Sequence, residues 1–297
     1  STCRREFRTL NNFQINKIIF MYKKTLIIKF LGIFFLISPE FTFASEKEID
    51  QLSDTRECNS CNLERLNLSG KDLSFSSLDN SNLSKANISK ANLNETSLKS
   101  SNLENANLEL VNLSGADISN SKFYKANLYG SDLSFVNATD SNFHSAKVNN
   151  SKLDESNFYK SNLNKVDLSN SNLILSNLSK TNIRKANLRK TNLEESNLSY
   201  ADLSYTDLSH SNLIGADLSH SKIYKSNLIN ANLSYTDLID ADLTYSDLKG
   251  TNLEYANLSG ANLTGSNLEK SSLLGTNLNR VILCNTIMPW GKDNSGC

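Results

Sequence analysis

Ala201-Asp202-Leu203-Ser204-Tyr205, Thr206-Asp207-Leu208-Ser209-His210 and Ser211-Asn212-Leu213-Ile214-Gly215 follow one another without interruption. Each is a small residue, an Asn or Asp, a Leu, and two variable positions. The phrase runs in register from Cys61 to Leu283, and its central position recurs in 45 consecutive copies from Leu63 to Leu283. Leu fills that position in 36 of them; the others are Ile88, Ile118, Ile183, Ile223, Phe123, Phe143, Phe158, Val148 and Ala138. Two places earlier stands Ala, Ser or Thr in 38 copies, with Leu66 and Lys71 the bulky and charged departures. Repetition this regular sets the architecture before any element is considered singly.

A period of five fits neither a helix, at 3.6, nor a flat strand, at 2. The recurring Asn or Asp also opposes long helices, because these side chains bond nearby backbone and favour turns. A chain that bends at regular intervals satisfies the pattern. It turns each Leu inward and lets neighbouring backbones approach at the small residue. That is a solenoid.

The phrase resembles the A(D/N)LXX motif of the pentapeptide repeat family over about three quarters of the chain. The resemblance implies an all-β fold, a right-handed quadrilateral β-helix with four repeats per coil. The Leu and the small residue would face inward and the other three positions outward. The block then makes about eleven coils, roughly 50 Å long at the ~4.8 Å spacing of neighbouring strands. Some relatives in the family are DNA mimics that bind a topoisomerase, which is one alternative function.

A solenoid of this kind is one elongated domain rather than one or two globular ones. Formal net charge is zero over 297 residues, with a basic front end. Residues 1–44 carry seven Lys/Arg and two Asp/Glu, leaving 24 basic and 29 acidic residues beyond, a net of −5. That balance gives no reason to expect a nucleic-acid partner.

Residues 1–20 hold neither Met nor repeat and are read as an upstream extension outside the mature protein. Met21-Tyr22-Lys23-Lys24, the apolar run Thr25 to Ile37 and Thr42-Phe43-Ala44 read as a signal peptide over 21–44. The run is short for a membrane span, so no stable insertion is expected after its removal. The mature chain would begin at Ser45 and be exported, periplasmic or extracellular. Within 45–60, Ser45 followed by Glu48 has the capping-box spacing, and Ile49 and Leu52 lie one turn apart. A short helix over the first coil is expected, since a bare β-helix end exposes unpaired backbone. At 284–297, Ile287-Met288-Pro289-Trp290 departs from the phrase, with Trp290 expected to plug the other end and Gly291 to Cys297 to form a loop.

Besides Cys3 there are Cys58, Cys61, Cys284 and Cys297, an even set that in an exported chain suggests disulfides in one of three pairings. On the rod that the resemblance implies, the caps lie too far apart for any bridge between them. This selects Cys58–Cys61 and Cys284–Cys297. Thiol-redox chemistry through Cys58 and Cys61 is the alternative, and a zinc site would need all four thiolates together. His144, His210 and His220 fall on different faces of a four-repeat coil and are read as solvated surface. No serine stands out with a His partner, glycines recur singly rather than as a phosphate loop, and no cofactor or catalysis is expected.

In that register, residues 20 apart share a face. The face of Leu63 carries Arg65, Lys85, Lys125, Lys165, Arg184, Lys185, Tyr205, Lys225 and Tyr245, and totals nine basic and four acidic outward residues. The opposite face, from Leu73, carries Glu95, Asp154, Glu155, Glu194, Glu195 and Glu254, and totals eight acidic and one basic. A basic-aromatic stripe opposite an acidic-aromatic one suggests interaction surfaces, for an anionic surface, another protein, or self-association of rods. One packing feature stands out. Ala138 is too small for a central position, and Phe158, one coil later, is expected to lean into the space beneath it, the alternative being a void.

Overall fold

The computed structural model describes Leu52 and residues 54–297. Residues 1–51 and 53 are outside it, and with them the expected extension, signal peptide, capping box and Ile49. From Glu57–Ser77 to Asn267–Ile287, parallel bridges join each second-position residue to its counterpart 20 residues on. Over the described residues the chain is a β-helix held by single bridging residues rather than long strands, with almost no helix.

The phrase satisfies its own backbone. In the repeat at Asn82, the amide of Asn82 donates to the Cys61 carbonyl (2.9 Å), and that of Leu83 to Asn102 (2.7 Å). The Lys85 amide donates to Glu104 (2.9 Å), and that of Ala86 closes a turn onto Leu83 (3.1 Å). The fourth amide, Ser84, lies in the turn and has no carbonyl in reach. It donates to the side-chain Oδ1 of Asn82 at 3.2 Å. Where the second residue is Asn or Asp it generally forms an Asx turn that satisfies this orphan donor, as Asn82, Asn102 and Asp202 do.

The fifth position pays for that turn in backbone conformation. Residues such as Lys85, Leu110, Tyr205 and His210 stand at φ 59°, 58°, 64° and 60°. This is the left-handed region that the third residue of a type II turn requires. Among the 45 fifth positions from Arg65 to Asn285 there is no Val, Ile, Thr or Pro. β-Branched residues tolerate positive φ worst, and proline cannot adopt it.

Inside, the central side chains from Cys58 to Leu268 are buried. The small position is a second inner column whose hydroxyls are used: Ser101 Oγ donates to the Leu78 carbonyl at 2.7 Å, and Ser141 Oγ to Ile118 at 2.7 Å. The Phe123 and Phe143 rings stack at 4.5 Å, and Phe158 meets Phe143 edge-on at 5.4 Å. Ala138 is fully buried. A packing gap too narrow for a water molecule lies against Val148, Phe158, Leu168 and Leu178, and Ala138 is not among its lining residues. This gap lies on the side of Phe158 away from Ala138.

Both ends extend the repeat geometry beyond 61–283. At the front, Leu52 is buried in the core, and the Arg56 amide donates back to its carbonyl at 3.2 Å. Cys58 occupies a central position and Cys61 the next small one. They are joined with Cα atoms 5.4 Å apart. At the back, Thr286 and Met288 take the small and central positions, and both are buried. Strand β1, Thr286–Met288, pairs antiparallel with β2, Gly291–Asp293, and Cys284 is joined to Cys297 at a Cα distance of 4.7 Å. The chain end folds so tightly over Ile282 and Leu283 that a Cβ on Gly296 would meet the Leu283 nitrogen at 2.5 Å.

Two expectations for this end are corrected. Trp290 is not the plug: it falls on a fifth position, which points outward, and is 66% exposed. Met288 fills the interior instead. Gly291–Asp293 is a strand rather than loop, because β1 offers it an edge. Leu273, Leu278 and Leu283 stay only partly buried at this end.

Candidate functional site

Because every fifth-position residue is held by the same turn, the outward side chains form columns one coil apart. On the face of Leu63, the upper part of the column is a packed set of tyrosines and cations. Tyr205 and Tyr224 meet edge-on at 5.4 Å, and Tyr224 and Tyr245 at 6.0 Å. The guanidinium of Arg184 lies 5.5 Å from the Tyr205 ring centre, and Lys185 5.9 Å. Lys225 sits between rings, 5.0 Å from Tyr224 and 5.8 Å from Tyr245. A hydrogen bond with Tyr224 and the neighbouring rings hold its ammonium above the usual lysine range. Such contacts fix a cation while leaving its charge available outward.

Lower on this face, Lys125 lies 5.0 Å over Tyr124, whose ring stacks on His144 at 5.5 Å. Part of the positive charge is answered within the face. Arg65 and Lys85 both reach Glu64, at 3.4 and 3.3 Å, and Arg184 reaches Asp202 at 3.0 Å. Burial pushes the Asp202 carboxyl up, but Ser204 and Arg184 more than offset this and hold it below the usual range. Lys122, Lys125, Lys165, Lys185, Lys222 and Lys225 have no carboxylate partner among the ion pairs of the described residues.

The face of Leu73 is the electrostatic opposite. Glu95, Asp154, Glu155, Glu194, Glu195 and Glu254 have no cation within ion-pair distance among the described residues. Three are held by neutral donors: Asp154 by Ser134 Oγ (3.0 Å), Glu194 by Asn212 Nδ2 (3.1 Å) and Glu254 by Ser272 Oγ (2.8 Å). Between them Phe75, Phe135, Leu175, Tyr235 and Tyr255 are exposed, the last two stacked at 5.1 Å.

A third column was missed in the sequence. Lys180 lies between Tyr159 (5.6 Å) and Tyr200 (6.0 Å), Tyr200 stacks on His220 at 4.7 Å, and His220 Nδ1 is 3.8 Å from Asp240. His144 and His220 are therefore ring-stacked rather than simply solvated, though no two histidines meet. Reading the fifth positions 180, 200, 220 and 240 at a step of 20 would have found it.

Cys58 and Cys61 are buried as well as bonded, which denies a redox partner the access that thiol exchange needs. Among the described residues there is no group of three or more potential metal ligands, and no helix long and apolar enough to cross a membrane.

A family model of pentapeptide repeats in eight copies matches residues 57–94, 91–128, 121–154, 211–250 and 246–285, and one of a pentapeptide repeat region matches 141–218. Among solved structures, the chain is similar to HetL, a pentapeptide repeat protein involved in heterocyst differentiation regulation from the cyanobacterium Nostoc sp. strain PCC 7120. The two are 27% identical, covering 84% of this chain and 98% of HetL, with a TM-score of 0.37. It is similar to full-length QnrB1, a plasmid-mediated fluoroquinolone resistance protein, at 20% identity over 57% of this chain and 84% of that one, TM-score 0.34. It is also similar to Rfr23 from the cyanobacterium Cyanothece 51142, at 21% identity over 82% and 97%, TM-score 0.18. No curated protein matches. The repeat, its 20-residue bridging and the matched models together place the chain in the pentapeptide repeat family.

Proposed function

We propose that the protein is an exported, non-catalytic scaffold that recruits a partner through its charged faces. In this reading residues 21–44 are removed on export and 1–20 are absent from the mature protein. Residues 45–60 and 284–297 cap a right-handed, four-sided rod of about eleven coils. No cofactor is needed. The carrying observation is the segregation of charge: six lysines without carboxylate partners on one face, six carboxylates without cations on the opposite one. Isolated surface ion pairs are worth little, but an unanswered stripe of one sign steers and orients a partner. Two disulfides suit an oxidising compartment.

Two measurements test the reading. Intact mass from cell fractions, with thiol labelling before any reduction, should give a periplasmic or secreted species beginning near Ser45 with no labelled cysteine. A cytoplasmic species retaining Met21 and carrying free thiols would overturn export. Reversing Lys125, Lys165 and Lys225 to Glu should abolish salt-sensitive partner capture while leaving the circular dichroism spectrum unchanged; unchanged capture would overturn the face.

A further inference from the structure

We propose that the partner of the basic face is the acidic face of a second copy, so that rods assemble side by side; this rests on the scaffold reading above. The two faces are half a coil apart, so a single chain cannot bring its own unpaired lysines to its own unpaired carboxylates. Another copy can. The fifth-position acids Glu95, Glu155 and Glu195 are spaced by 60 and then 40 residues, three coils and then two. Among the basic residues the same spacing occurs forwards, as Arg65, Lys125 and Lys165, and backwards, as Lys85, Lys125 and Lys185. Arg65 and Lys85 already share Glu64, so Lys125, Lys165 and Lys185 are the cations without a carboxylate among the described residues. The coil pitch is uniform, so these spacings are also distances, and all three acids meet cations whether rods lie parallel or antiparallel. Lys125 faces Glu155 in both arrangements.

Apolar surface is available to add to the charge. The acidic face exposes Phe135, Leu175, Tyr235 and Tyr255, and the basic face Tyr205 and Tyr245. Because the two contacting surfaces differ, the contact is heterologous. A bound pair still offers one free acidic face, on one copy, and one free basic face, on the other, so growth is open-ended rather than closed at a dimer. The interface is charge-dominated and should weaken as salt shortens the screening length from ~10 Å at 0.1 M.

The test uses the intact purified protein. Sedimentation velocity at about 0.05 M NaCl should show species larger than a dimer that dissociate at about 0.5 M. Carbodiimide coupling of mixed light- and 15N-labelled chains should yield an inter-chain Lys125–Glu155 crosslink, which opposite faces forbid within a chain. The variant K125E/K165E/K225E and the variant E95K/E155K/E195K should each be monomeric alone. Mixing them should restore assembly, which a misfolded variant could not do. A wild-type chain that stays monomeric at low salt, or a salt-insensitive dimer lacking the crosslink, overturns the proposal. If that monomer still binds vesicles of anionic phospholipid through Lys125, Lys165 and Lys225, self-docking fails while the scaffold reading stands. If the face variants change neither, both fail.

Discussion

Asn127 Nδ2 donates to Asn107 Oδ1 at 3.0 Å, while that same oxygen accepts the Glu109 amide of its own turn at 3.4 Å. Asn107 in turn donates to Asn87 at 3.2 Å. One side chain thus closes its turn and ties three coils together. Asn107→Asp keeps the acceptor and loses the donation to Asn87; Asn107→Ala loses all three bonds. At ~1 kcal/mol per bond, the Asp variant should lose about 1 kcal/mol and the Ala variant clearly more, by urea unfolding. Equal losses would remove the side-chain ladder as a source of stability.

Leu110 has φ 58° and is exposed, so its conformation can be probed with little change in packing. Leu110→Asn should be neutral or stabilising, since Asn tolerates this region. Leu110→Val should cost roughly 1–3 kcal/mol for forcing a branched Cβ into it. Chemical denaturation of the pair settles the sign, and a Val variant as stable as the Asn variant would be incompatible with the turn described.

Two buried serines make a matched contrast. Ser101 Oγ donates to the Leu78 carbonyl, whereas Ser176 Oγ is buried without a hydrogen-bond partner. Ser101→Ala should therefore cost about 1 kcal/mol and Ser176→Ala should be neutral or stabilise by a similar amount. Melting temperatures moving in the same direction by the same amount would contradict the assignment.

The interior near Phe158 gives a fourth test. Because the gap lies against Val148 and not Ala138, Ala138→Leu should overpack and destabilise by about 1–3 kcal/mol. Val148→Ile should change stability by less than about 1 kcal/mol. Clear stabilisation by Ala138→Leu would place the missing volume at Ala138 after all.

Asp72 gives the pH prediction. Hydrogen bonds from the Ser74 hydroxyl and amide, then from Arg56, lower its pKa from 3.8 to about 2. A carboxylate depressed in the folded state contributes stability that is present above the unfolded value and lost as pH falls through the folded one. Its contribution should therefore fade between pH values of about 4 and about 2. The Asp72 carboxyl 13C shift should titrate near the lower end, and Asp72→Asn should flatten that part of the melting profile. A midpoint at the ordinary value would refute it.

The solenoid was legible because the inner positions obey an unbroken rule, and the two charged faces followed from counting in twenties. What escaped were properties of the turn. The absence of Val, Ile, Thr and Pro at the fifth position marks a positive φ, but an absence is noticed only once a turn gives it meaning. Trp290 was misjudged on chemistry, a large apolar residue near an end, when its place in the five-residue count already sends it outward. The Tyr200–His220 column is visible only at a step of 20 residues, because the partner of His220 is a tyrosine one coil before it and not another histidine.

The bridges 20 residues apart also govern how such a gene can change length. Losing one five-residue phrase leaves every turn and every inner residue valid, yet carries all that follows a quarter of the way round. Downstream lysines would then stand among a neighbouring column's residues, and each stripe would break at the junction. Only gains or losses of a whole coil leave the surface pattern intact. For this rod the unit of folding is five residues, whereas the unit of inheritance for its surface is twenty.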